Sequence, residues 1–284
     1  MTSERTIILL EGDRVSWSDR NGKAVMATAA TLPSGRGALV LDDGVHLFRV
    51  QDVAGSKGFR IVQRNTDNTA KIIDDMLLKQ DFIVVLNVAH SADTPGKRSP
   101  DGAFIEHNWS RDVCARIAER LKDYGLGVVV VEQPDRNGLD KAVVAINRLT
   151  HKRNALCVSI HVNAAGDGSR WYDATGWSAY TSVGTTKADT AARFLSRAAY
   201  GVLSPKGRSI RANSSDGVSN YERDFYVLRK TACPAVLTEN FFQDNRDDVA
   251  YLLSEEGRED IVRLHVRGII DYYQWLAKEL AGSR

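Results

Sequence analysis

The sequence predicts an α/β fold, a mostly parallel sheet with helices on both faces, preceded by a small all-β domain. From about Asp81 onward, short apolar strands alternate with amphipathic helices, the pattern of a parallel sheet covered on both faces. Before that point the chain reads as short strands divided by turn residues. We therefore expect a β-rich domain at residues 1–68, a linker at 69–80 and the larger domain at 81–284.

The first 68 residues contain five strand-like runs, TIILL, RVSW, GALVL, HLFRV and FRIV, divided by Gly, Asp, Asn and Ser. Aromatic residues that could stack on sugars are sparse there: Trp17, Phe48 and Phe59. That scarcity slightly disfavours carbohydrate binding. Two roles stay open for this domain, wall binding or docking to a larger particle.

The larger domain is predicted to alternate strands and helices along its length. Its first helix opens near Phe104 and has one apolar face with a four-residue spacing, formed by Ile105, Trp109, Val113, Ile117 and Leu121. Gly125 is expected to stop that helix. The other predicted elements are strands at 82–88, 128–132, 156–162, 177–182 and 234–239, helices at 139–152 and 186–203, and two closing helices from about 245 to 280.

Composition excludes several classes of partner. The 38 basic and 36 acidic side chains nearly cancel, so neither nucleic acid nor an anionic membrane is an expected partner. No apolar run approaches the roughly 18–20 residues of a membrane span. Only four consecutive apolar residues precede Glu11, too few for a signal peptide, so we expect synthesis in the cytoplasm.

The three cysteines, Cys114, Cys157 and Cys233, are far apart and lie in apolar sequence. This setting favours buried, reduced thiols over a disulfide framework. Because the sequence has no CxxC pair, a bound metal would need histidine and carboxylate ligands.

Two histidines are predicted at the carboxyl ends of core strands, where the reactive groups of parallel sheets gather. His90 follows the first strand of the larger domain, and His161 lies near the end of LCVSIHV. The alternation of side chains along a strand places Ser159, His161 and Asn163 on one face. A single histidine after a strand is more often a solvated or hydrogen-bonded loop residue than a ligand.

Carboxylates occur at the same edge of the predicted sheet. Glu106 lies in the first turn of a helix, where the helix dipole favours a negative charge, and Glu239 closes the strand PAVLTE. Glu132 also ends a strand and is the main alternative to Glu106 and Glu239 as a carboxylate of the site. His107 lies about 100° round the helix from Glu106, so both cannot easily face one metal ion.

Four residues, His90, Glu106, His161 and Glu239, all map to the carboxyl end of one sheet. As a group they predict a functional site more strongly than each residue does alone. Two imidazoles and one carboxylate make a three-ligand zinc site with a fourth position for water, which is typical of hydrolytic zinc. A further carboxylate is then free to act as the base.

The order and setting of these residues resemble the zinc-dependent N-acetylmuramoyl-L-alanine amidases, over roughly residues 82–277. In that family a strand ends in a Gly-flanked His, a Glu starts a helix, a strand carries Ser-Ile-His-x-Asn-Ala, and a later strand ends in Glu followed by Phe and Asn. The matching segments here are NVAHSA (87–92), FIEHN (104–108), SIHVNA (159–164) and TENFFQDN (238–245).

The resemblance implies that His90, Glu106 and His161 bind zinc and that Glu239 is the catalytic acid/base. It implies cleavage between the lactyl group of N-acetylmuramic acid and L-alanine in peptidoglycan. Asn163 would lie beside the site and contact the substrate. With no signal peptide predicted, we expect a cell-wall lytic enzyme of phage or contractile injection system type, which reaches the wall after release or delivery.

The chain departs from the family around the first histidine. Where the family usually has Asp-Pro-Gly-His-Gly, residues 87–91 read Asn-Val-Ala-His-Ser. This change predicts a different loop and a changed hydrogen bond behind His90. Further along, residues 204–223 are rich in Gly, Ser, Arg and Asn and are predicted to form a mobile rim or lid over the cleft.

Two alternatives remain from the sequence. One is a zinc amidohydrolase that acts on a different amide. The other is a peptidoglycan-binding or structural protein that kept the fold but lost turnover, for which the altered loop at His90 is the motivating observation.

Overall fold

The computed structural model describes six strands within residues 5–61 and then residues 82–211 and 220–282. The chain divides into two compact units, residues 1–76 and 77–284. In the first unit, four strands form an antiparallel sheet in the order β2-β3-β4-β5, and β1 pairs with β6. These strands are β1 (Arg5–Ile7), β2 (Arg14–Ser18), β3 (Ala24–Thr31), β4 (Gly37–Leu41), β5 (Leu47–Phe48) and β6 (Phe59–Ile61).

The second unit alternates strands and helices. Its strands are β7 (Phe82–Val88), β8 (Gly127–Val131), β9 (Asn154–Asn163), β10 (Ser178–Thr181), β11 (Tyr221–Glu222) and β12 (Ala235–Phe242). Its helices are α1 (Glu106–Asp123), α2 (Leu139–Thr150), α3 (Lys187–Leu203), α4 (Tyr226–Lys230), α5 (Arg246–Leu253) and α6 (Glu255–Gly282), with a 3-10 turn at Ser204–Lys206.

The six strands form one sheet in the order β11-β10-β12-β9-β7-β8. The strands β8, β7, β9 and β12 are parallel, which confirms the α/β prediction. Beyond β12 the direction reverses, since β10 runs antiparallel to β12 and β11 runs parallel to β10. The sheet is therefore mixed at one edge, and β8 forms the other edge.

Helices cover both faces of this sheet. On one face, Val85, Cys157 and Leu237 pack in a cluster with buried side chains of α2 and α4. On the other face, α6 supplies Tyr272 and Tyr273, whose ring centroids lie 6.4 and 5.3 Å from that of Phe82. Apolar side chains therefore pack against both faces of the sheet. This packing holds the strand ends in fixed relative positions.

Helix α1 follows the predicted four-residue spacing with one exception. Trp109, Val113, Ile117 and Leu121 are buried, and each contributes on the order of 2 kcal/mol by leaving water. Ile105, predicted on the same face, instead precedes the helix in an extended conformation and is 41% exposed. The four-residue spacing of apolar residues extends one residue before the start of the helix, so it wrongly included Ile105.

All three cysteines are free, with Cys114 and Cys157 buried and Cys233 partly so, as predicted for reduced thiols. Within residues 82–211 and 220–282, no helix has both the length and the apolar character of a membrane span.

Candidate metal centre

Neighbouring strands bring the predicted site residues together at the carboxyl ends of the parallel strands. In β9, His161 is the register partner of Glu239 in β12, and two residues earlier Ser159 is paired with Asn87 in β7. His90 follows the end of β7 at the same edge. Parallel pairing therefore places the ends of three adjacent strands side by side.

His90, Glu106 and His161 converge on one point. Nε2 of His90 lies 3.5 Å from Oε2 of Glu106, and Nδ1 of His161 lies 3.2 Å from Oε1 of the same carboxylate. The two imidazole rings are edge to face, with centroids 4.9 Å apart. One ligand atom from each residue lies within 4.8 Å of the others, a spacing that could hold a metal ion.

The backbone around His90 is strained but well anchored. His90 has φ 54°, a left-handed conformation that is uncommon for residues other than glycine. The preceding residue is fixed by α1, because Ala89 N–H donates to Ser110 Oγ at 3.0 Å and its carbonyl lies 3.3 Å from Nδ1 of His107. These contacts hold the turn that directs His90 towards Glu106.

The charges of the group favour metal ligation. Burial lowers the pKa of His90 to about 4, against the opposing charge of Glu106, so the imidazole is neutral at pH 7. Burial would raise the pKa of Glu106, but its interactions with His161 and His90 and the hydrogen bond donated by Val162 N–H outweigh that effect, so the pKa is lowered. The carboxylate is therefore ionised. Neutral imidazole and ionised carboxylate are the forms in which these side chains bind metals.

Glu239 lies beside this group with a different electrostatic character. Burial, followed by the negative charge of Glu106, raises the pKa of Glu239 well above its ordinary value, while Lys97 opposes that rise. Its Oε2 atom is shielded from solvent and lacks a hydrogen-bond partner within the described part of the chain. This carboxyl is suited to hold a proton and release it.

The residues present fit a zinc ion. Oε2 of Glu106 is buried, and no hydrogen bond to it is found among the described residues. Two nitrogens and a carboxylate oxygen are the donor set of hydrolytic zinc sites, which keep a fourth position open. Val162 N–H donates to Glu106 Oε1 at 3.0 Å and fixes the carboxylate in place.

The other predicted residues lie around this centre. Asn163 ends β9, and its side-chain oxygen accepts a hydrogen bond from the backbone N–H of Ala164 at 2.9 Å. The rival carboxylate Glu132 is engaged elsewhere, with Oε1 2.9 Å from Nε of Arg111 and Oε2 3.8 Å from Nε2 of His107. His107 therefore points away from the metal group, as the helical spacing predicts.

Of the other histidines, His265 is fully buried and His151 is exposed, whereas His46 lies outside the described residues. Of the predicted rim at 204–223, residues 212–219 also lie outside the described residues, so its mobility stays a prediction.

Two residues near the site, Lys97 and Gln243, were not predicted from the sequence. Lys97 is close enough to influence the pKa of both His90 and Glu239, and its carbonyl accepts a hydrogen bond from Glu106 N–H at 3.0 Å. Gln243 donates from Nε2 to the carbonyl of Gly96 at 3.2 Å, which ties the loop after β7 to the end of β12. No periodicity marks either residue, since both act from irregular segments.

Comparisons with known proteins identify a family for this chain. Residues 84–271, more than half of the chain, match the family model described as N-acetylmuramoyl-L-alanine amidase. The endolysin of Bacillus phage SPP1 is 34% identical over 207 residues, which cover 71% of this chain and 69% of the phage protein.

Solved structures with the same fold are more distant in sequence. The amidase AmiC2 of Nostoc punctiforme superposes with a TM-score of 0.58 at 22% identity and covers 68% of this chain and 98% of its own. The catalytic domain of CwlV from Bacillus (Paenibacillus) polymyxa var. colistinus gives a TM-score of 0.54, also at 22% identity, over 68% of this chain and 98% of its own. At this identity the likeness supports the fold.

Proposed function

Because the chain belongs to the N-acetylmuramoyl-L-alanine amidase family and is an amidase of peptidoglycan, we propose that it depends on zinc held by His90, Glu106 and His161, with Glu239 as acid/base. The scissile bond would be the amide between N-acetylmuramic acid and L-alanine. A single observation carries the proposal. Glu239, with its raised pKa, is the register partner of His161 in a group of three converging ligand atoms.

The three ligand residues would bind the zinc ion and fix its position. His90 offers a neutral imidazole from a turn anchored on α1, and Glu106 offers a carboxylate held by Val162. When bound, zinc would supply Lewis acidity, polarising a carbonyl oxygen and acidifying water. Three protein ligands would leave a fourth position on the metal ion for water or substrate, as in other hydrolytic zinc sites.

Glu239 moves the proton. With its pKa raised, the carboxyl accepts a proton from the attacking water at Oε2 and returns it to the amine of the departing L-alanine. The charge of Lys97 limits how far the pKa of Glu239 rises. The shielded setting of Oε2 strengthens both transfers, because few waters compete there.

Two further assignments complete the proposal. Asn163 is proposed to contact the substrate from the same face of β9 as His161. For the route to the wall, the similarity to a phage endolysin supports release by a phage, and a contractile injection system is the second route. Docking of the first unit to a larger particle stays a proposal tied to the second route.

The test is cleavage of purified peptidoglycan by the full chain, with bound zinc measured on the same samples. The wild type is expected to bind about one zinc per chain and to release L-alanine amino groups without new reducing sugar ends. Glu239→Gln should keep the zinc and lose cleavage by at least about 100-fold, within the range of general acid/base catalysis. His161→Ala should lose the zinc.

The matched control is His151→Ala, which removes an exposed histidine that precedes β9, at the end of the strand opposite His161. This variant should bind zinc and cleave like the wild type. Zinc binding without any cleavage by the wild type would favour a binding protein. Cleavage of small amides but not of peptidoglycan would favour a different amidohydrolase, and cleavage by Glu239→Gln at the wild-type rate would contradict the assigned acid/base.

A further inference from the structure

A chain of buried hydrogen bonds runs behind His161. Asn87 donates from Nδ2 to the carbonyl of Val131 at 3.2 Å, and its Oδ1 accepts the hydroxyl of Ser159 at 2.7 Å. The same Ser159 oxygen lies 3.0 Å from Nε2 of His161. Asn87 and Ser159 are 3% and 1% exposed, so water cannot replace these contacts readily.

The donors and acceptors along this chain allow a single arrangement. The carbonyl of Val131 can only accept, so it fixes the Asn87 amide with Nδ2 towards β8 and Oδ1 towards β9. Oδ1 also only accepts, so the single hydroxyl proton of Ser159 is used on it. Nε2 of His161 then faces an oxygen lone pair and must carry a proton.

The consequence reaches the metal centre. In a neutral imidazole with the proton on Nε2, Nδ1 has a free lone pair, and Nδ1 is the atom 3.2 Å from Glu106 Oε1. A lone pair and a carboxylate oxygen would repel each other unless a proton or a metal cation lay between them. The chain of hydrogen bonds thus prepares His161 to bind a cation through Nδ1.

We propose that Asn87 and Ser159 are a positioning pair that fixes His161 in the Nε2-protonated tautomer and presents Nδ1 to the metal. This inference rests on the proposed function for the identity of the metal. The pair connects three strands, because Asn87 lies on β7, its donor contact is on β8, and Ser159 and His161 lie on β9. The orientation of the ring is therefore set by the sheet itself.

The same geometry gives Asn87 a contact that the sequence did not predict. The change of the loop around His90, with Asn87 in place of the family's usual Asp, was expected to alter a hydrogen bond behind His90, and this stays a prediction. The side chain of Asn87 reaches His161 through Ser159. An amide fits this place because it can donate to Val131 and accept from Ser159 at once, whereas an ionised carboxylate only accepts.

The test compares the full-length wild type with Ser159→Ala, Ser159→Thr and Ser196→Ala. Ser159→Ala removes the hydroxyl, and Ser159→Thr restores it. Ser196→Ala makes the same change at a buried serine on α3. Two quantities are measured: the protonated nitrogen of His161 in metal-free, 15N-histidine-labelled protein by NMR, and zinc affinity by competition with a chelator. The His161 resonances are assigned from the spectrum of His161→Gln among the six histidines.

We expect Nε2 of His161 to carry the proton in the wild type, in Ser159→Thr and in Ser196→Ala. In Ser159→Ala the two tautomers should mix and zinc affinity should fall by roughly 10–100-fold, the usual effect of losing a partner behind a ligand histidine. An Nε2 of His161 without a proton in the wild type, or wild-type zinc affinity in Ser159→Ala, would overturn the proposal. The NMR result does not depend on cleavage, so failure of the proposed function would be seen separately, as absent zinc binding in the wild type.

Discussion

Glu106 Oε1 lies 3.2 Å from Nδ1 of His161 and also accepts the backbone N–H of Val162 at 3.0 Å. The carboxylate is thus held by the strand that carries the histidine it meets. Its second oxygen faces Nε2 of His90 at 3.5 Å. Glu106, the first residue of α1, therefore connects the ends of β7 and β9. The close approach of His90, Glu106 and His161 thus depends on where α1 begins.

Replacing Glu106 by Gln should abolish tight zinc binding. The amide has no negative charge and only one acceptor oxygen, which Val162 N–H already uses. We expect zinc affinity to fall by more than the roughly 10–100-fold typical of losing an outer hydrogen-bond partner. Equilibrium dialysis with metal analysis measures this. Glu132→Gln is the matched control, and equal losses in both variants would contradict the assignment of Glu106.

Replacing Lys97 by Met should move the acid limb of the pH profile. Lys97 lowers the pKa of Glu239, so without its charge the carboxyl is deprotonated only at a higher pH. The acid limb of kcat/KM, measured at saturating zinc, should therefore shift to higher pH. Arg98→Met removes a neighbouring exposed cation and should leave the limb in place. A shift to lower pH in Lys97→Met would show that the cation acts on a different group.

Much of this centre could be predicted because its residues follow regular elements. The apolar run of β7 and the alternation in β9 locate His90 and His161 at strand ends, and Glu106 begins a helix with a clear apolar stripe. Parallel pairing then brings the strand ends together. Long, regular segments carry a strong periodic signal, and the four proposed site residues lie on or next to such segments.

The remaining features depend on pairing between distant segments. The reversed direction of β10 and β11 cannot be read from a single strand, since side-chain alternation is the same in both directions. The contact between Asn87 and Ser159 spans 72 residues and requires the register of β7 against β9. The left-handed turn at His90 has no glycine to signal it.

Replacing two helical glycines by alanine should change the free energy of unfolding in opposite directions. A Cβ on Gly268 of α6 would lie 2.7 Å from Cα of Leu195 on α3, so Gly268→Ala should lower the free energy of unfolding by about 1–3 kcal/mol. A Cβ on Gly201 would meet no described atom within 4 Å, so Gly201→Ala should raise it by about 1 kcal/mol. Urea unfolding of both variants measures these changes. Stabilisation by Gly268→Ala would mean that α3 and α6 are not in close contact.

The buried His265 should make the protein less stable in acid. Burial lowers the pKa of His265 from 6.5 to about 4, and its nitrogens contact Thr238 Oγ1 at 2.9 Å and the carbonyl of Ile261 at 2.7 Å. Between these two pKa values the unfolded chain binds a proton that the folded protein does not. The stabilisation is therefore complete above about pH 6.5 and is lost as the pH falls to 4, by about 3 kcal/mol.

The matched variants are His265→Leu and His151→Gln, compared by urea unfolding of metal-free protein at several values between pH 4 and 7. His265→Leu should be less stable than the wild type at pH 7, because the Thr238 hydroxyl loses its contact with the imidazole and keeps only that with Asn240. Its free energy of unfolding should nevertheless fall less steeply in acid. His151 is exposed, so His151→Gln should keep the wild-type slope. An unchanged slope in His265→Leu would mean that His265 does not resist protonation in the folded protein, and the acid sensitivity would then have to come from other groups, such as His90, whose pKa is also lowered to about 4.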